Sequence, residues 1–147
     1  MNSSDEIAKI IDLVKINNLL DKHPYDLSGG EAQKVALAKM LLFNPNIIIL
    51  DEATKGLDNF YKNELANILL DLKNRGKTII LVTHDMEFAS LISNRCALYF
   101  DGEIVSILEK NKFFRNNSFF TTTVHKVTRG NLELVTLKDF LEVANGK

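Results

Sequence analysis

The chain has 147 residues, of which 46% are hydrophobic and 25% charged, and its formal net charge at pH 7 is −1. This composition describes a globular unit with enough apolar surface for a core, and it excludes a disordered tail. The near-neutral charge argues against a dedicated nucleic-acid-binding protein, which usually carries a strong basic excess. No apolar stretch approaches the roughly 20 residues that span a bilayer, so a membrane connection must come through a partner.

The N-terminal segment predicts a helix. Ser3 and Glu6 have the spacing of a capping box, and apolar residues at helical intervals follow them. Ile7, Ile10, Ile11 and Val14 mark one face of this helix, and we expect it to end near Asp21. His23-Pro24 then breaks it.

A second helix is predicted over 32–43. Ser28 and Glu31 repeat the capping-box spacing directly ahead of it. Asn44-Pro45 ends it, because proline disfavours a helical conformation at the residue before it.

Strand, helix and strand follow in that order. Residues 47–50 are apolar without alternation, which predicts a strand buried on both faces. Apolar residues at helical spacing predict a helix over 60–73, and Gly76 marks its stop. A second apolar, β-rich run covers 78–82. Two strands joined by a helix predict a parallel pair with a crossover connection.

The remaining third predicts a short helix over 86–92 and then a hairpin, because Asp101-Gly102 separates two β-rich runs. Cys96, in the first of these runs, is interpreted as a buried free thiol. The aromatic and basic stretch from Phe113 to Arg129 could form a nucleic-acid platform, but packing of its phenylalanines on a core is the favoured interpretation. Thr136 and Asp139 predict a last short helix.

Ser28, Gly29 and Gly30 suit a helix start that holds phosphate. Backbone N–H groups at a helix N-terminus bind anions, and the helix dipole adds roughly half a positive charge there. Glycine lets the backbone approach the anion closely, and the serine adds a hydroxyl group. By itself the same pattern also describes an ordinary helix cap.

Asp51 and Glu52 follow the apolar run at 47–50. Ligands gather at the carboxyl ends of strands in open α/β sheets, and an oxygen ligand there suits Mg²⁺. One carboxylate for a metal and one for an attacking water would serve phosphoryl transfer. The alternative is a polar strand terminus without catalytic function.

His84 and Asp58 each have a structural alternative as well. His84 follows the apolar run at 79–82, which places it near the same predicted sheet edge as Asp51. A single histidine after a strand is usually structural. Asp58 precedes the helix predicted over 60–73, where it would serve as an N-cap.

These motifs together resemble those of ATP-binding cassette ATPases. Residues 27–31 resemble the signature motif, residues 47–52 the Walker B strand with its catalytic glutamate, residues 56–58 the D-loop, and His84 the switch histidine. The amino-acid sequence in and around these motifs is most similar to that of energy-coupling-factor importers of vitamins and metal ions.

The resemblance implies an α/β fold: the C-terminal part of a P-loop NTPase domain, mostly parallel sheet with flanking helices, a C-terminal hairpin and a short tail. It implies ATP and Mg²⁺ as cofactors. The residue roles that it implies are Asp51 as magnesium ligand, Glu52 as general base, His84 as γ-phosphate switch, Ser28, Gly29, Gly30 and Glu31 as an ATP clamp acting in trans, and Asp58 as the link between two nucleotide sites across a dimer.

The phosphate-binding Walker A loop is missing from the sequence. Gly76-Lys77-Thr78 imitates its end, but the position that needs the first glycine is Asp71, and a strand rather than a helix follows. We therefore expect a truncated or dissected domain that is inactive alone.

The predicted organisation has three parts: a partial helical signature subdomain at 1–45, the ATPase core at 46–108 and a C-terminal extension at 109–147. The predicted function is that of a partial ATP-binding subunit of an importer, at the cytoplasmic face of the cell membrane. Its expected partners are a second ATPase subunit or half and an integral membrane transporter subunit, with no nucleic acid.

Two other functions stay open. A chromosome-maintenance or DNA-repair ATPase also carries a signature followed by Walker B, but it would place a long coiled coil before the signature. The segment before His23 is too short to show one. A non-catalytic module could instead keep the fold and lend its signature motif to a partner.

Overall fold

The computed structural model describes residues 4–116, 120–128 and 134–145. These residues form two compact units, a first unit that ends at Thr83 and a second unit that begins at His84. The elements in chain order are α1 (Ser4–Val14), α2 (Gly29–Leu41), β1 (Ile47–Asp51), α3 (Asn59–Asn74), β2 (Thr78–Val82), α4 (Met86–Ile92), β3 (Arg95–Phe100), β4 (Glu103–Glu109), α5 (Lys110–Asn116), α6 (Thr123–Val127) and α7 (Leu137–Ala144), with short 3₁₀ turns at Asn17–Leu19 and Pro24–Asp26.

The first unit contains the predicted parallel crossover. Strand β1 pairs with β2 in parallel, from Ile47 opposite Thr78 to Asp51 opposite Val82. Helix α3 connects them, and its buried face carries the residues expected from the helical spacing, Leu65, Ile68, Leu69 and Leu72. Gly76 ends the connection with φ 84°, a left-handed conformation that glycine adopts without steric cost. The strand, helix and strand prediction is confirmed.

The first helix is shorter than predicted. Helix α1 ends at Val14 instead of near Asp21, because Lys15 has φ 56° and leaves the helical conformation. Ile16 and Leu19 are nevertheless buried, the latter in a 3₁₀ turn. The capping box predicted at Ser3 lies outside the described residues.

Strand β1 is buried on one face only, so the prediction of burial on both faces is wrong for the described residues. Ile48 is 1% exposed, whereas its neighbours Ile47 and Ile49 are 58% and 69% exposed. Ile80 and Val82 of β2 are also exposed, at 48% and 54%. A parallel sheet buries both faces only where other elements cover both. In the described part of the first unit, other elements cover only one face of the sheet.

The second unit is built on the predicted hairpin. Strands β3 and β4 pair antiparallel with one irregularity after Leu98. Asp101 and Gly102 have φ 50° and 85°, the positive values that a type I′ turn requires. Phe113 and Phe114 of α5 form a buried cluster with Val135, against which Cys96 and other partly buried residues pack.

The packing prediction for the aromatic segment is therefore confirmed at Phe113 and Phe114. It is wrong at Phe120, which is 43% exposed, and Phe119 lies outside the described residues. The last helix, α7, begins with the expected capping box of Thr136 and Asp139. Cys96 is a free, half-buried thiol on β3, and burial raises its pKa. Among the described helices, none has the length and apolar character needed to cross a bilayer.

Candidate functional site

The start of helix α2 has the geometry that its sequence predicts. Ser28 is the N-cap, and its Oγ accepts a hydrogen bond from the Glu31 amide at 3.3 Å. The Glu31 carboxylate accepts in return from the Ser28 amide at 2.8 Å. Gly29 and Gly30 are the first helical residues, where amides have no acceptor within the helix. The capping prediction is confirmed, and the helix begins three residues earlier than the sequence suggested.

Glu31 is held in its charged form. Its carboxylate also accepts a hydrogen bond from Lys22 Nζ at 2.8 Å. This bond, followed by the one from the Ser28 amide, lowers the pKa of Glu31 to about 2. The reciprocal cap therefore depends on an ionised side chain.

We expect the stabilising effect of Glu31 to disappear in acid. Its pKa is depressed in the folded chain from an ordinary value of 4.5 to about 2, so its contribution is present above pH 4.5 and is lost as the pH falls toward 2. Urea unfolding of the chain and of the Glu31→Gln variant, from pH 6 to 2, measures this. The difference in the free energy of unfolding between the chain and the Glu31→Gln variant should become smaller as the pH falls from 4.5 toward 2.

Glu103→Gln is the matched control, because it removes an exposed carboxylate from β4 in the second unit. It reports the general effect of losing one negative charge. A gap between the chain and Glu31→Gln that stays constant from pH 6 to 2 would contradict the assignment.

The end of strand β1 carries Asp51 and Glu52. Asp51 is the last residue of the strand and is exposed, and Glu52 follows it half-buried. Glu52 has φ 48°, a left-handed conformation that costs a non-glycine residue about 1 kcal/mol or more. Its amide donates to the Val82 carbonyl at 2.9 Å, and its carbonyl accepts from Lys55 at 2.9 Å. The turn thus holds an unfavourable backbone conformation at the residue predicted to be catalytic.

The acidic pair fits Mg²⁺ in the manner typical of nucleotide sites. The described residues contain no cluster of three or more acidic, histidine or cysteine side chains that could hold a metal alone. Mg²⁺ is usually bound by one or two carboxylates together with substrate phosphates and water. Asp51, exposed at a strand end, suits that arrangement.

Asp58 caps helix α3. Its side chain accepts a hydrogen bond from the Tyr61 amide at 2.9 Å, which confirms the structural role that the sequence allowed. Gly56, two residues earlier, has φ 75° and lets the chain turn before the helix. The predicted coupling role of Asp58 across a dimer stays a prediction.

His84 is the first residue of the second unit and is exposed. The next residue, Asp85, caps α4 by accepting from the Phe88 amide at 3.0 Å. The approach of His84 to Asp51 and Glu52 stays a prediction.

Lys77, the apparent phosphate-loop lysine, has a different role. Its Nζ donates to Asn44 Oδ1 at 2.6 Å, and Gly76 before it ends a helix. The interpretation of this tripeptide as a helix-stop turn is confirmed.

Three residues near the signature were missed by sequence reasoning: Lys34, Tyr61 and Glu64. The Lys34 ammonium lies 5.0 Å from the centre of the Tyr61 ring and forms an ion pair with Glu64. Lys34 is 30 positions from Glu64, and no short motif connects them. Only the Asp58 cap, three residues before Tyr61, could have drawn attention to this segment.

The fold and the motif order define a class. An α/β unit with a capped signature helix and an acidic pair ending a parallel strand is the architecture of ATP-binding cassette ATPases. Residues 2–55 match the family described as ABC transporter. The chain belongs to the ABC transporter ATP-binding family.

Proteins of similar sequence and structure support this family assignment. An ABC transporter ATP-binding protein of Bacillus thuringiensis subsp. konkukian is 40% identical over 114 residues, covering 78% of this chain and 21% of that protein. The energy-coupling factor transporter ATP-binding protein EcfA2 of Mesomycoplasma hyopneumoniae is 40% identical over 124 residues, covering 80% and 41%. The structure of cbiO1 from Clostridium perfringens, part of the ABC transporter complex cbiONQ, superimposes with a TM-score of 0.72 at 25% identity, covering 96% and 53%. The chain therefore spans about half or less of these proteins.

Proposed function

We propose that this chain supplies the signature, Walker B and switch segments of an importer ATPase that couples ATP binding and hydrolysis to membrane transport. The observation that carries the proposal is Glu52, held in a left-handed conformation directly after strand β1 by hydrogen bonds to Val82 and Lys55. Unfavourable backbone conformations persist where surrounding structure imposes them, and they concentrate at functional sites. The likeness to EcfA2 and cbiO1, both named as parts of transporters, supports a role in transport.

In this proposal Asp51 holds Mg²⁺ together with the nucleotide phosphates, and Glu52 accepts the proton of the attacking water. His84 contacts the γ-phosphate. Bound Mg²⁺ would neutralise charge on the phosphates during transfer.

The signature segment acts on a nucleotide held by a second subunit. Ser28 with Gly29 and Gly30 offers a hydroxyl group and two helix-start amides, and these groups together suit a phosphate. Glu31 is engaged with Ser28 and Lys22, so its proposed part in the clamp is to hold the loop in shape. Asp58 transmits between the two nucleotide sites from the D-loop.

The partners that this proposal requires are a second ABC ATPase subunit or half and an integral membrane transporter subunit. The ATPase would then lie against the cytoplasmic face of the membrane through that subunit. We retain the division into a signature part at 1–45, a core at 46–108 and an extension at 109–147 as a proposal.

A chimera tests the proposed function. The chain replaces the matching 41% of the Mesomycoplasma EcfA2, whose remainder supplies the other segments of an ATPase; we call this protein the EcfA2 chimera. A second subunit is provided, either another copy or the second ATPase of the same transporter. We expect Mg²⁺-dependent ATP hydrolysis. A folded chimera that binds ATP but neither hydrolyses it nor dimerises would refute the proposal.

The chain alone should bind ATP weakly or not at all. A Walker A loop normally provides most of the backbone donors and the lysine that hold the β- and γ-phosphates, and this sequence has none. Calorimetric titration of the 147-residue chain with Mg-ATP measures this, with the EcfA2 chimera as the positive control. A micromolar Kd for the chain would contradict the expectation.

A further inference from the structure

The ring of Tyr61 lies directly against Gly30 at the start of helix α2. Gly30 is buried, and a Cβ at that position would lie 2.5 Å from Cγ of Tyr61 and 2.6 Å from Cδ1. Real Cβ atoms do not approach other heavy atoms so closely. Because Cγ is the root of the ring and not a flexible tip, relief would require the whole side chain to move. Gly29, one residue earlier, has open space at the same position.

The same ring is held from a second side. The Lys34 ammonium, one turn along α2 from Gly30, lies 5.0 Å from the ring centre, within the range of a cation–π interaction. Lys34 forms an ion pair with Glu64, which lies on α3 three residues after Tyr61 and also pairs with Lys15 at 3.5 Å. Burial acts to raise the pKa of Glu64, but the hydrogen bond and charge of Lys34 outweigh it and lower the pKa.

The backbone of Tyr61 is engaged as well. Its amide donates to the Asp58 side chain at 2.9 Å, so Tyr61 touches the D-loop cap through its backbone and the signature helix through its ring. One residue therefore connects two motifs that are separated by about 30 positions in the sequence. Both motifs are proposed above to act on the nucleotide of the second subunit.

We propose that Tyr61 is a positioning residue for the trans-acting half of the site. Its ring packs against Gly30 and contacts Lys34, and it thereby holds the start of α2 against the Asp58 turn. Ser28 and Asp58 then contact the partner's nucleotide as one rigid body. The inference rests on the proposed function. It adds a residue that contacts neither nucleotide nor metal, and it assigns the second signature glycine a packing role beside its role at the phosphate.

The contact predicts whether a substitution at Gly30 raises or lowers the melting temperature, and the chain alone is enough to test it. Alanine is favoured over glycine inside a helix, so Gly30→Ala should stabilise a helix with room for a methyl group. With Tyr61 present, we expect Gly30→Ala to lower the melting temperature by about 5 °C, because overpacking costs more than helix propensity returns. In the Tyr61→Ala background, the same substitution should leave the melting temperature unchanged or raise it. Gly29→Ala, in open space, should not depend on Tyr61.

The functional readout is ATP-driven association of the EcfA2 chimera with its second subunit, measured by mass. We expect Tyr61→Ala to weaken this association at least about tenfold, a factor equal to about 1.4 kcal/mol. The Kd for ATP of the chimera without its second subunit should change less than about twofold. Tyr61→Phe keeps the ring and should associate normally. Tyr99→Ala is the matched control, since it removes an exposed tyrosine from β3.

The outcomes separate the two proposals. If the unmodified chimera binds ATP and does not associate, the proposed function fails. If Ser28→Arg weakens association and Tyr61→Ala leaves it normal, the function stands and the positioning role is wrong. An equal effect of Gly30→Ala with and without the Tyr61 ring would overturn the contact on which the role depends. Loss of association with both Tyr61→Ala and Tyr61→Phe would also overturn it.

Discussion

Replacing Glu52 by Gln in the EcfA2 chimera should reduce ATP turnover about 100- to 10,000-fold, the usual contribution of a general base. The amide preserves the size of the side chain and loses the ability to accept a proton. ATP binding should stay largely intact, and the ATP-bound dimer should persist because its nucleotide is not consumed. Turnover and dimer mass, measured on the same samples with Mg-ATP, report the two effects.

Glu103→Gln controls for the loss of one negative charge, because Glu103 is exposed on β4. It should hydrolyse ATP normally. Normal turnover by the Glu52→Gln chimera would show that Glu52 is not the base, and the chain would then be better described as a binding module.

Replacing Ser28 by Arg should weaken ATP-driven association about 10- to 100-fold, the effect of losing about 1.5–3 kcal/mol from a hydrogen bond to a charged group. The bulky side chain would occupy the space of the partner's γ-phosphate. ATP binding to each separate subunit should be unaffected, because the clamp acts across the interface. Association is measured by ATP-dependent mass, and binding by calorimetry on monomers.

Two further variants separate the clamp from the helix cap. Ser28→Asp retains a good N-cap but places a negative charge where phosphate should bind, so it should preserve stability and still weaken association. Thr136→Ala removes an equivalent capping box from α7 and should cost about 1 kcal/mol of stability without changing association. Normal association of Ser28→Asp would contradict the clamp.

Local signals explain why so many elements could be predicted. The α2 and α7 capping boxes, the Asp58 cap and the Asp101-Gly102 turn are each formed by residues within four positions of one another. Their hydrogen bonds and dihedral preferences are satisfied within that short segment. The order of the motifs, which indicated the ATPase family, is also visible in the amino-acid sequence without any tertiary contact.

The errors came where a local pattern has more than one solution. Helix α1 ends at Val14 because Lys15 has a left-handed conformation, and Ile16 and Leu19 reach the core from outside the helix. Strand β1 was placed correctly, but its outer face is exposed at Ile47 and Ile49 in the described residues. Burial of a strand depends on what packs against it, and an apolar run carries no information about that.

The sequence by itself determined the family, the strand and helix order, and which residues are candidates for metal, base and phosphate clamp. The tertiary structure alone decided two things: the pairing of the Glu52 amide with the Val82 carbonyl at the left-handed turn, and the packing of the Tyr61 ring against Gly30. In each case the partners are about 30 residues apart. Such contacts arise only when helices and strands pack, because the free energy that holds them comes from burial and hydrogen bonds between elements, which no short-range pattern encodes.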